Sequence, residues 1–67
     1  MTELAEHTWK WHFVERLSEL FVKNGLDAHA AVANAHAYSD DCYPLRKDGD
    51  PKSEAEIVYR ELKAGKF

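Results

Sequence analysis

The feature that most constrains the fold of this chain is an apolar stripe at helical spacing in its first third. Bulky apolar residues recur there three or four positions apart, at Trp9, Phe13, Val14, Leu17, Leu20 and Phe21. This spacing predicts an amphipathic helix over about residues 3–24, with charged side chains on its opposite face. Asn24-Gly25 follows the stripe and supplies the left-handed stop that is typical of helix C-termini.

A second helix is predicted directly after this stop. Asp27 is a good N-cap, and residues 28–39 are rich in alanine, which has high helix propensity and little side-chain volume. We therefore expect the second helix to lie close against the first, as one arm of a helical hairpin. A larger residue in it, as in Ala33→Leu, should overpack that contact.

Residues 40–53 lose the helical periodicity. Pro44 and the Asp50-Pro51 pair indicate a loop with at least one turn over this range, held to the core by Tyr43 and Leu45.

Ser53 and Glu56 form a capping box that predicts a third helix over residues 54–64. The sequence thus predicts one all-α domain over residues 1–67: a long N-terminal helix, an alanine-rich second helix paired with it, and a short C-terminal helix packed on both.

Composition narrows the class of protein further. The single cysteine, Cys42, excludes an internal disulfide and with it a small secreted protein stabilised by disulfides. The N-terminal residues lack the pattern of a signal peptide, and the apolar runs are far shorter than a membrane span, so we expect a cytoplasmic protein that is not embedded in a membrane. The net charge of -3, without any basic cluster, argues against nucleic-acid binding.

The first helix carries more bulky apolar surface than two light helices can cover. Leu4, Trp9, Trp11 and Val22 are the candidate interface residues. Either the 43–45 segment folds over the Trp11 edge of this helix, or that edge is exposed and binds a partner, which would be another protein or a second copy of the chain.

Other kinds of site have weaker support. His29, His36 and Asp40 would project from one side of the second helix and could hold a metal ion, but their spacing is looser than that of a zinc signature. Cys42 has no motif of a catalytic nucleophile around it. We therefore expect no bound metal, no cofactor and no enzyme activity.

The helical hairpin also resembles a DNA-binding helix-turn-helix in outline, with Gly25 in the turn. Phe21 stands where the close helix crossing needs a small residue, and residues 28–39 contain no Arg or Lys. The leading prediction is a small non-catalytic interaction or adaptor module. The alternative is a small regulatory module that contacts nucleic acid through the hairpin.

Overall fold

The computed structural model describes residues 5–65 of the chain, and over that range the fold consists of three helices. They are α1 (Glu6–Lys23), α2 (Ala28–Arg46) and α3 (Pro51–Lys63). Helix α1 packs against both of the others, which confirms the predicted all-α fold. The first two residues of the predicted range 3–24 lie outside the described residues.

The hydrophobic core lies where the three helices meet. Each helix contributes a different size of side chain: α1 supplies large ones, α2 supplies small ones, and α3 adds a short apolar stripe. The buried members of this core are Trp9, Phe13, Val14, Leu17, Ala35, Cys42, Ala55 and Val58. Pairing bulky residues with small ones lets the helix backbones approach closely, as the alanine-rich sequence predicted.

The connection between α1 and α2 has the predicted geometry. Gly25 takes a φ of 102°, and the Leu26 amide donates to the Phe21 carbonyl at 3.0 Å, as in a Schellman motif. The Asp27 carboxylate then caps α2 by accepting the amide of His29 at 3.0 Å. The chain therefore reverses direction here with its helix ends satisfied by local hydrogen bonds.

Helix α2 is longer than predicted, because it runs through to Arg46 and not only to residue 39. The predicted loop over 40–53 is wrong, since only residues 47–50 separate α2 from α3. The physical reason is packing: the buried stripe of α2 continues at helical spacing past residue 39, through Ala31, Ala35, Ser39 and Cys42. Pro44 lies on the exposed side of the last turns, where this stripe outweighs its helix-breaking tendency.

The two residues predicted to hold the loop to the core behave differently. Tyr43 is half-buried and packs edge-on against Trp9, with ring centroids 5.4 Å apart. Leu45 is 85% exposed, so its predicted contact with the core is wrong. Both residues belong to α2, and the helical rotation between them points only Tyr43 inward.

Helix α3 starts earlier than predicted. Asp50 is its N-cap and accepts the Ser53 amide at 3.0 Å, and Pro51 occupies the first turn. The predicted Ser53 cap is therefore wrong, because Asp-Pro is itself a strong helix start and comes first along the chain. Helix α3 buries Ala55 and Val58 in the core and packs Tyr59 and Leu62 against it.

The alanine that we expected to be sensitive to overpacking is not the buried one. Ala33 is exposed, whereas Ala31 and Ala35 are fully buried against the rest of the fold. The alanines surround the axis of α2, so composition alone did not identify which of them face α1.

An ion-pair network joins α2 to α3. Arg46 donates to Glu54 at 2.9 Å and to Glu61 at 3.1 Å, and its hydrogen bond to Glu54 is the main cause of its raised pKa. Nearby, the Trp9 indole N–H donates to the Gly49 carbonyl at 2.9 Å. The short 47–50 connection is thus tied both to α1 and to the network beside it.

Candidate interaction surface

The two tryptophans of α1 occupy opposite environments. Trp9 is only 1% exposed, and its indole stacks on Phe13 with ring centroids 5.2 Å apart. Two positions along a helix correspond to a rotation of about 200°, so Trp11 points to the other side. Of these two predicted interface residues, Trp9 therefore lies in the core and Trp11 on the surface.

Trp11 is 60% exposed. Its ring packs edge-on against that of the neighbouring His12, at a centroid distance of 4.9 Å. Among the Phe, Trp and Tyr side chains of residues 5–65, only that of Trp11 is exposed. The 43–45 segment does not fold over the Trp11 edge, since Tyr43 packs on Trp9 and Leu45 faces solvent. Of the two alternatives, the Trp11 edge is therefore exposed.

Trp11 belongs to a stripe that continues along α1 and onto α2. Ser18 and Val22 follow it by seven and eleven positions, which places all three on one line of the helix. Val22 is 46% exposed, and beside it α2 presents Ala28 and Val32, the latter 43% exposed. We call this set (Trp11, Ser18, Val22, Ala28 and Val32) the Trp11 face. Leu4, the remaining predicted interface residue, lies outside the described residues.

A shallow groove forms at the end of the Trp11 face that is distant from the indole. It has a volume of about 440 Å³ and runs between the end of α1 and the start of α2. Its lining is largely small or apolar, with a carboxylate and an amine at the rim, and comprises Ser18, Glu19, Val22, Lys23, Ala28 and Val32. The groove exists because small residues stand where two helices with larger side chains would fill the gap.

Charges beside the Trp11 face are largely paired within the chain. Glu15 lies 3.6 Å from the Lys52 amine, and Glu19 lies 3.3 Å from the Arg16 guanidinium. Arg16 also donates a hydrogen bond to Glu56, and this bond is the main cause of the raised pKa of Arg16. The carboxylates nearest the apolar stripe therefore do not stand as isolated negative charges.

The three residues that the sequence suggested as possible metal ligands lie on the surface of α2. His29, His36 and Asp40 are all exposed, and the Asp40 carboxylate accepts a hydrogen bond from Lys10 at 3.1 Å. In residues 5–65 no three or more His, Cys, Asp or Glu side chains are grouped so as to hold an ion. Burial raises the pKa of the Cys42 thiol, which keeps it protonated and poorly nucleophilic near neutral pH.

The nucleic-acid alternative gains no support from the exposed side of α2. Arg46 is the one Arg or Lys in that helix, and both Glu54 and Glu61 bind it. Phosphate contacts need exposed cationic side chains, and α2 offers two exposed imidazoles, of His29 and His36, in their place.

Comparison of the chain with known protein families, with curated proteins and with solved structures found no match in any of the three. Within the described part of the chain, no helix combines the length and apolarity needed to cross a bilayer.

Sequence reasoning had identified Trp11 and Val22 but not the part of the Trp11 face formed by Ser18, Ala28 and Val32. The spacing of Ser18 from Trp11 was the available signal on α1. The α2 residues could not be assigned to this face from sequence, because that requires the rotation of α2 against α1.

Proposed function

We propose that this protein is a small non-catalytic interaction module that binds a protein partner through the Trp11 face. The observation that carries the proposal is the exposure of Trp11 in a chain that packs its other described aromatic side chains into or against the core. Tryptophan is enriched among the residues that dominate binding energy at protein interfaces. An indole that is 60% exposed adds less to the core of this fold than it could to an interface.

The exposure of the Trp11 face fits this role. Trp11 is 60% exposed, Val22 46% and Val32 43%, so three of its apolar side chains meet solvent, and exposed apolar patches are often functional. The groove beside Val22 offers a recess into which a side chain of a partner can insert. The same proposal places the protein in the cytoplasm, where reducing conditions keep a lone thiol such as Cys42 free.

Site-specific photocrosslinking tests the proposal. A benzophenone amino acid replaces Val22 on the Trp11 face, or Arg60 on the exposed side of α3 as the control position. After irradiation in lysate, we expect adducts from position 22 that are absent from position 60 and that disappear when Trp11→Ser is added. Circular dichroism checks that each variant is folded. Equal adducts from both positions, or adducts that persist without Trp11, would contradict the proposal.

A further inference from the structure

We propose that the partner on the Trp11 face is a second copy of this chain, bound antiparallel; this inference rests on the proposed function. The reason is that one face carries both a projecting side chain and a recess. Trp11 stands at one end, and the groove beside Val22 stands at the other. A surface with both shapes is complementary to itself, as the interface of a two-fold dimer requires.

The spacing of the two features fixes the relative direction of the copies. Trp11 and Val22 are about 16 Å apart along α1, at 1.5 Å per residue. A two-fold axis perpendicular to α1, passing between Glu15 and Ser18, places each indole over the groove of the other copy. Parallel copies would set the two indoles against each other and leave both grooves empty, so the antiparallel arrangement buries more apolar surface.

The middle of the stripe allows the two α1 helices to approach. Ser18 is small and lies opposite Glu15 of the other copy across this axis, so it leaves room for the longer side chain. Its hydroxyl already donates to the Glu15 carbonyl at 3.1 Å. Burying Ser18 at the dimer axis therefore leaves no unsatisfied hydroxyl.

Electrostatics permit this contact. In an antiparallel dimer the same rim of each copy meets its counterpart, so unpaired like charges on that rim would repel. Glu15 and Glu19 are instead paired with Lys52 and Arg16 of their own chain. The net charge of -3 per chain adds only modest repulsion, which salt screens further.

The small size of the Trp11 face predicts a weak dimer. The face comprises only five residues, whereas a standard interface has roughly 20–30 residues a side. We therefore expect reversible dimerisation with a dissociation constant on the order of hundreds of micromolar. This is weaker binding than in the tight complexes that have standard-size interfaces.

Sedimentation equilibrium of the purified full chain tests self-association. We expect Trp11→Ser and Val22→Asp each to weaken dimerisation at least about tenfold, or 1.4 kcal/mol. Leu45→Ser is the matched control, because Leu45 is 85% exposed and lies outside the Trp11 face. Its dimerisation should stay within about twofold of wild type, since only the surface that is buried on association contributes. Equal weakening by Leu45→Ser would indicate nonspecific association and overturn the proposal.

Isotope-filtered NMR on a mixture of labelled and unlabelled chains tests the orientation. We expect contacts between copies to join the Trp11 indole to the methyl groups of Val22 and Val32. Contacts between two Trp11 rings, or a monomer at about 1 mM, where the expected weak dimer would be well populated, would overturn the proposal. A monomer whose position 22 still crosslinks to another protein would leave the proposed function standing, whereas a monomer without Trp11-dependent adducts would remove both.

Discussion

Trp9 and Trp11 show how two identical residues, two positions apart, acquire different roles. The fully buried indole of Trp9 contacts Phe13 and Tyr43 and also donates a hydrogen bond to Gly49. Trp11 makes none of these contacts and faces solvent. Stability should therefore depend on Trp9, and binding on Trp11.

This division predicts unequal effects of truncation. Trp9→Ala should lower the free energy of unfolding by about 3–5 kcal/mol, because it opens a large cavity and removes the indole hydrogen bond. Trp11→Ala should change it by less than about 0.5 kcal/mol, as for other exposed sites. Urea unfolding followed by circular dichroism, in dilute solution, measures both.

A milder variant covers the case in which Trp9→Ala does not fold. Trp9→Phe keeps an aromatic ring in the core but loses the N–H donor to the Gly49 carbonyl. It should still be clearly less stable than Trp11→Phe. Equal stability of the two phenylalanine variants would show that Trp9 is not the core indole.

At the scale of the helices, the start of α3 depends on Asp50. Its carboxylate accepts the Ser53 amide, so Asp50→Ala should cost about 0.5–2 kcal/mol of stability. Ser53→Ala should cost much less, since Ser53 lies inside the helix and is exposed. Thermal unfolding of the two variants distinguishes the caps, and a larger loss from Ser53→Ala would restore the capping box predicted from sequence.

The contact between α1 and α2 depends on which alanines face inward. Ala35→Leu should destabilise the protein by about 1–3 kcal/mol, because the added volume has no space between the helices. Ala33→Leu should be nearly neutral in dilute solution, since Ala33 is exposed. Chemical unfolding compares them, and equal losses would contradict the observed rotation of α2.

Local sequence signals predicted the elements of this fold better than their extent. The apolar stripe of α1, the Asn24-Gly25 stop and the Asp27 cap are local signals, and the structure has all three. The C-terminal part of α2 was not predicted, because Pro44 and the loss of periodicity after residue 39 indicated a loop, and the stripe that continues through Ser39 and Cys42 consists of small residues.

At the scale of the whole molecule, α1 is the central element and packs against both neighbours. The Arg46 network provides a direct link between α2 and α3. Arg46→Gln should therefore cost about 1 kcal/mol at low salt, because two partly exposed ion pairs are lost. The difference from wild type should shrink in 1 M NaCl, where the pairs are screened. Thermal melts at the two salt concentrations measure this, and a loss independent of salt would point to packing of the Arg46 stem.

The most direct test of the account follows the two indole N–H protons by hydrogen exchange in NMR spectra of ¹⁵N-labelled wild-type protein. In dilute solution we expect the Trp9 proton to exchange slowly, because it is buried and bonded to Gly49, and the Trp11 proton to exchange rapidly. Raising the protein concentration should slow exchange at Trp11 and leave Trp9 unchanged. If the Trp11 proton is already protected in dilute solution, the chain covers its own second indole and the proposed binding surface does not exist.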